Sequence, residues 1–129
     1  MILGLGIDLV EIARVERLLG ARPPLAARFL SRCFTEGERR YCEARGAARA
    51  SSYAARFAAK EAVMKALGAP PGVRFLDVEV ARGAGRPEVS LSGAAAVAAE
   101  AQGVRRVHLT LTHDAGTAAA AVVLEGEAP

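Results

Sequence analysis

The chain contains no tryptophan, and four phenylalanines and two tyrosines are its whole aromatic complement. Alanine supplies much of the 52% hydrophobic content, so bulky core side chains are scarce for a chain of 129 residues. Association of copies is a natural way for such a chain to bury more surface. Cysteine is equally sparse. Cys33 and Cys42 form no CxxC pair and have no histidines at metal-ligand spacing, which excludes a zinc ribbon, a dithiol redox motif and a disulfide scaffold. Read as ordinary thiols, they suit a reducing cytosol. No apolar run approaches the roughly 18 residues of a membrane span. Met1–Val10 is apolar but carries Asp8 and lacks the basic start of an export signal. The expectation is a soluble cytoplasmic protein, a single domain over 1–129 with no linker or internal repeat.

Lysine is nearly absent too, because 15 of the 17 basic residues are arginine. Between Ile12 and Arg49 stand nine arginines against four glutamates. Arginine forks hold carboxylates and phosphates in pairs of hydrogen bonds, so this stretch suits an acidic partner or a phosphorylated ligand. A solvated helical surface explains the composition equally well. A nucleic-acid binder would fit the pI near 9.3, but interleaved aromatics and any recognisable motif are missing, so no nucleic-acid role is expected.

The pattern along the chain is helices first and strands after. Leu3, Leu5, Ile7 and Leu9 alternate with Ile2, Gly4, Gly6, Asp8 and Val10, which predicts a strand burying its leucine face. The two glycines bare the other face to whatever approaches the backbone, with Asp8 at the end of that strip. Ile12, Val15, Leu18 and Leu19 keep helical spacing up to Gly20. Pro23-Pro24 opens a second helix, and Thr35 with Glu38 forms a capping-box signature for a third, running through Tyr41. An alanine-rich helix is expected from about Ala48 to Leu67, closed by Gly68 and Pro70-Pro71. Strands follow over Val73–Ala81 and Pro87–Leu91, joined through Gly83-Ala84-Gly85. Ser92 caps a short helix that Gly103 ends. Val107–Thr112 and Thr117–Leu124 complete the strands, the last one covered on both faces, and Glu125–Pro129 trails as a loose tail. The fold class is therefore α+β, a small antiparallel sheet packed against a long helix.

Three places can carry chemistry. Asp8 could ligate a hard cation such as Mg²⁺, although Asp8-Leu9-Val10-Glu11 also has the spacing of a helix cap. Glu61 lies at the rim of an apolar stripe, with Lys65 one turn on. The two read either as an ion pair or as a metal ligand beside a phosphate-binding lysine. Thr112-His113-Asp114 ends a strand at a turn, where a hydroxyl beside an imidazole can hold a phosphate. No nucleophile elbow accompanies that histidine, which argues against a hydrolase.

The order of these segments carries more than any one of them. Gly4-Leu5-Gly6-Ile7-Asp8-Leu9-Val10-Glu11-Ile12 with Arg14 comes first, then Phe34-Thr35-Glu36 with Glu38 and Tyr41-Cys42. Arg56-Phe57-Ala58-Ala59-Lys60-Glu61-Ala62 runs on to Lys65-Ala66-Leu67-Gly68, and Leu109-Thr110-Leu111-Thr112-His113 closes the series. The series resembles the holo-acyl-carrier-protein synthase family of phosphopantetheinyl transferases from Met1 to about Leu124. The resemblance implies a 4′-phosphopantetheinyl transferase-like fold. It also implies Mg²⁺-dependent transfer of the phosphopantetheine arm from coenzyme A to a serine of an apo acyl carrier protein, in support of fatty acid biosynthesis. It puts the metal on Asp8 and Glu61 and a phosphate on Lys65. Coenzyme contacts fall at Arg56, Gly68, Pro87, Thr112 and His113, and the carrier protein meets Arg14, Arg17 and Arg28. It further implies a homotrimer with active sites shared between neighbours, the Gly85-Arg86-Pro87 turn reaching the next subunit's ligand. The proton of the attacking serine would leave through a water relayed by Glu61 or Asp8. An acceptor domain inside a large synthase is the rival within the same family. Ala69-Pro70-Pro71-Gly72 replaces the threonine and glycine with which members usually continue, and this puts the role of that loop in doubt.

Overall fold

The structure, a computed structural model, describes residues 1–127. β1 (Ile2–Glu11) leads into four helices, α1 (Ile12–Leu19), α2 (Pro23–Cys33), α3 (Glu36–Glu43) and α4 (Arg49–Ala66). β2 (Val78–Arg82), β3 (Pro87–Leu91), α5 (Gly93–Ala101), β4 (Val104–Asp114) and β5 (Thr117–Gly126) follow. β1, β5 and β4 form an antiparallel sheet with β5 in the centre, and β2 and β3 pair as a separate hairpin. α4 lies on the three-stranded sheet, giving the expected α+β architecture.

Small side chains set how closely those layers meet. Ala54, Ala58, Ala59, Ala62 and Val63 of α4 are buried with Ala118, Ala120, Val122 and Leu124 of β5. Methyl groups on both surfaces let helix and strand approach without voids, and the scarcity of bulky residues becomes close packing. On β1 the approach goes further. A Cβ on Gly6 would stand 1.9 Å from the carbonyl oxygen of Ala62, and one on Gly4 would stand 2.3 Å from that of Ala66. What approaches the bare strip is therefore the backbone of α4.

This reverses the expectation for β1. The glycine face is the packed one, and Leu5, Ile7 and Leu9 remain 68%, 65% and 67% exposed on the far side of the sheet. Pairing register places Leu9 with Ala119 and Thr112, Ile7 with Ala121 and Thr110, and Leu5 with Val123 and His108. An apolar surface thus covers the outer side of β1 and β5, bordered by the hydroxyls and imidazole of β4.

The strand expected over Val73–Ala81 begins only at Val78. Asp77 accepts the Arg74 backbone N–H at 3.0 Å, and its other oxygen accepts the Arg74 side chain at 3.2 Å. That bracket folds Phe75–Asp77 into a 3-10 turn instead. At the other end, Glu125 and Gly126 belong to β5, and the Met1 amino group donates to the Gly126 carbonyl. The expected tail is therefore strand as far as Gly126, while residues 128–129 lie outside the described residues.

Other expectations match in detail. Glu38 N donates to Thr35 Oγ1 at 3.2 Å, and Thr35 N donates to Glu38 Oε1 at 2.9 Å, so the capping box is complete. Glu38's second partner is not legible from local spacing. Lys60 of α4 reaches Glu38 Oε1 at 2.7 Å, both side chains fully buried. Lys60 also donates to the carbonyls of Phe75 and Val78, while Glu38 Oε2 accepts Val80 N at 2.8 Å. Burial pushes the Lys60 ammonium down and the Glu38 carboxylate opposes that shift. Each charge is satisfied by several hydrogen bonds, which is the condition for keeping an ion pair in a core. The pair ties α3, α4 and β2 together.

Candidate active site

The contact between α4 and the glycines of β1 carries the helix's charged residues to Asp8. Lys65 Nζ donates to Asp8 Oδ1 at 2.8 Å and to the Ile7 carbonyl at 3.2 Å. The Asp8 side chain is only 12% exposed against 54% for Lys65. Glu61, one turn earlier on α4, is half-buried. Its carboxyl is pushed above the usual range, first by desolvation and then by the negative charge of Asp8, with Lys65 and Arg14 opposing. The hydrogen bond that Lys65 donates to Asp8 in turn raises the pKa of the Lys65 ammonium. Residues fifty-three positions apart in the chain therefore share one electrostatic site.

Both local alternatives fail here. Asp8 is no helix cap, because Glu11 holds the N-cap position of α1 and makes no side-chain cap bond. Lys65 turns to Asp8 across the helix–sheet contact, so the Glu61–Lys65 ion pair of one helix turn is not made. Two carboxylates that repel each other, one with a raised pKa, form a donor set suited to a hard divalent cation. Among the described residues no group of three or more His, Cys, Asp or Glu converges. A cation such as Mg²⁺ would therefore complete its shell from water and from the phosphate oxygens of a ligand, as Mg²⁺ commonly does.

Arg56 and Pro87 meet elsewhere. With Tyr41, Arg82, Arg86 and Thr110 they line a cleft of about 520 Å³ beside β4, the edge strand of the sheet. Arg56 is 5% exposed, its guanidinium carbon lies 4.1 Å from the centre of the Tyr41 ring, and its Nε has no hydrogen-bond partner. Sequence reasoning found Arg56 and Pro87 and missed Tyr41, Arg82 and Thr110 as lining residues. The run Arg82 to Arg86 around a glycine turn was the available signal.

The remaining candidates are dispersed. Thr112 shares a row with Ala119 and Leu9 and so stands on the sheet face opposite Asp8, while His113 follows at the exposed strand end. Within one chain neither is brought to the carboxylates. Gly68 leaves α4 at φ 83°, followed by Ala69 at φ 51°, a left-handed conformation that alanine adopts with strain. Arg14 is exposed beside the carboxylate pair, Arg17 pairs loosely with Glu11 at 3.8 Å, and Arg28 is exposed on α2. No helix among the described residues is long and apolar enough to cross a membrane.

Known proteins share this arrangement over its whole length. Residues 4–122 match the family model of the 4′-phosphopantetheinyl transferase superfamily. A holo-[acyl-carrier-protein] synthase from Anaeromyxobacter sp. (strain K) is 62% identical over 129 residues, covering 100% of both chains. The crystal structure of a Bacillus anthracis holo-(acyl-carrier-protein) synthase in complex with CoA (3′,5′-ADP) superposes with TM-score 0.77 at 37% identity, covering 98% of this chain and 99% of the other. The Helicobacter pylori holo-[acyl-carrier-protein] synthase in complex with coenzyme A gives TM-score 0.78 at 31% identity, over 94% of this chain and 99% of the other. With its long helix laid on a glycine-faced strand and its sequence matching these synthases from end to end, the chain belongs to the holo-acyl-carrier-protein synthase family of the 4′-phosphopantetheinyl transferase superfamily.

Proposed function

We propose that this enzyme transfers the 4′-phosphopantetheine arm of coenzyme A to a serine of an apo acyl carrier protein and releases 3′,5′-ADP. The observation that carries this reading is the convergence of Asp8, Glu61 and Lys65 where α4 crosses β1. Asp8 and Glu61 would hold Mg²⁺, and Lys65, which here bonds Asp8, would face an oxygen of the transferred phosphoryl group. Bound there, such a cation would supply charge neutralisation for the diphosphate and the departing 3′,5′-ADP. The serine Oγ attacks the β-phosphorus in line as the bond from that phosphorus to the bridging oxygen breaks. Its proton would pass through a water relayed by Glu61 or Asp8. Arg56 and Pro87 bind the charged end of the coenzyme. Incubation with coenzyme A, Mg²⁺ and apo carrier protein should add one pantetheine arm to the acceptor by mass spectrometry. A chelator should abolish that gain, and an unmodified acceptor would sink the reading.

The working unit is a homotrimer with active sites shared between neighbouring subunits. The exposed Leu5, Ile7 and Leu9 supply an apolar surface for a second copy, and Thr112 stands on that same surface. A neighbour's Thr112-His113 can then serve a coenzyme held at this chain's Asp8 and Glu61. Ile7→Glu places a charge where the isolated chain is already solvated. We expect unchanged far-UV circular dichroism, a fall to monomer mass in sedimentation, and loss of transfer. A monomeric variant with wild-type turnover would refute shared sites.

The acceptor is a stand-alone carrier protein of fatty acid biosynthesis, and the reaction takes place in the cytoplasm where coenzyme A is dissolved. Arg14, Arg17 and Arg28 give α1 and α2 a positive surface next to the carboxylates, suited to an acidic carrier helix. Arg14→Glu should raise the apparent KM for the carrier about tenfold and leave that for coenzyme A nearly unmoved. Equal KM values in mutant and parent would remove the steering role.

A further inference from the structure

Arg56 is a buried charge with no carboxylate beside it. Its recorded partner is the Tyr41 ring, 4.1 Å from ring centre to guanidinium carbon, and its Nε is left without any hydrogen-bond acceptor. Tyr41 is itself held from another side, because Arg82 Nη1 donates to its hydroxyl at 3.3 Å. Arg45 adds a third cation, 5.5 Å from the ring centre. One tyrosine on α3 thus gathers arginines from α4, from β2 and from the end of its own helix.

A desolvated guanidinium needs something to keep it at one orientation. A carboxylate would do so, but it would also consume the N–H groups and cancel the charge. The face of a phenol ring attracts the cation through its quadrupole and leaves the in-plane N–H groups free. Arg56 is therefore seated yet unspent, and it lines a cleft of about 520 Å³ that also holds Arg82, Arg86 and Thr110. Such a cleft takes a ligand rich in phosphate oxygens.

We propose that Tyr41 is a positioning residue for coenzyme binding: its ring seats Arg56, and its hydroxyl tethers Arg82, so that both guanidinium groups face the same phosphate-bearing ligand. The inference rests on the reading above that Arg56 binds the charged end of coenzyme A.

Steady-state kinetics of Tyr41→Leu, Tyr41→Phe, Arg56→Met and the Tyr41→Leu/Arg56→Met double variant test it, with calorimetric titration of 3′,5′-ADP as a direct binding readout. Tyr41→Leu should raise the KM for coenzyme A about tenfold and weaken 3′,5′-ADP equally, with kcat and the carrier KM moving far less. Tyr41→Phe keeps the ring and should recover most of that loss, the remainder reporting the Arg82 tether. The double variant should bind worse than Arg56→Met alone by no more than the Tyr41→Phe loss, because beyond the Arg82 tether a ring acting through Arg56 adds nothing once Arg56 is gone. Additive losses, or a Tyr41→Leu defect shared equally by both substrates, would overturn the positioning role. If Arg56→Met leaves coenzyme affinity intact, the Arg56 assignment itself falls and the role of Tyr41 with it. If Arg56→Met weakens the coenzyme and Tyr41→Leu does not, only the positioning role is lost.

Discussion

Glu61→Gln is expected to lower transfer by at least ~10²-fold, the scale of losing one preorganised electrostatic group, and at the same time to raise the melting temperature of the metal-free protein. The two effects have one origin. Folding moves Glu61 out of water and next to Asp8, and both changes disfavour its charged form. With a folded pKa above the unfolded one, ionised Glu61 costs stability at neutral pH, and that cost disappears as pH falls through the raised value. A neutral amide removes the cost at every pH and removes the proposed cation ligand along with it. Asp8→Asn should lower turnover similarly while also freeing Lys65 from its 2.8 Å partner. In the parent enzyme at sub-saturating Mg²⁺, where protons and the cation compete for this carboxylate, activity should fail on acidification at a higher pH than an unperturbed glutamate would dictate. An active Glu61→Gln protein at saturating Mg²⁺ would show that the carboxylate is not a ligand. An inactive one with a lowered melting temperature would show that Glu61 supports the fold instead.

The second large effect is steric. Gly6→Ala puts a methyl carbon 1.9 Å from the Ala62 oxygen, 2.8 Å from its carbonyl carbon and 3.0 Å from the Ala66 nitrogen. All three are main-chain atoms and none can rotate aside. α4 must lift from β1, at a cost of about 3 kcal/mol or more, which is roughly 10 °C of melting temperature in a chain this size. The lift would also part Lys65 from Asp8, so transfer should fall further than the loss of folded protein explains. Gly20→Ala is the control, since the nearest contact there is 3.4 Å and its φ is −90°. That change should stay within about 0.5 kcal/mol of the parent. Thermal unfolding of both variants, with activity measured well below the transition, separates the two cases. A Gly6→Ala protein as stable as the control would mean that the helix–strand contact is looser than described.

The helices were legible because their signals are local. The Thr35–Glu38 box, Gly20 after Leu19 and Gly68 after Leu67 each act within one turn. β1 was misread because alternation reports a period and says nothing about which side has a partner. Bulk predicts a core on the leucine face, whereas the closest packing occurs at Gly4 and Gly6, where bulk is absent. Leu76 fitted a strand pattern, but Asp77 closing on Arg74 overrode it. The site was legible only as an ordered set of motifs. Taken singly, Asp8 and Glu61 suited a cap and an ion pair, and their true neighbours come from α4 meeting β1. Lys60 and Tyr41 stand inside those motifs with no role of their own legible, since their partners Glu38 and Arg56 lie on other elements. A lysine embedded in Ala58-Ala59 and Ala62-Val63 was the one available hint of a buried cation.

Arg56, Glu61 and Lys65 all ride on one unbroken helix, and Lys60, one turn after Arg56, roots that helix in the interior through Glu38. At 1.5 Å per residue, Arg56 and Glu61 stand ~7.5 Å apart along the axis and Lys65 a further ~6 Å on. A rod anchored in this way cannot be stretched by loop motion. If the proposed contacts hold, it would work as a ruler, and a ligand gripped at both ends would be judged by its length before its chemistry is tried.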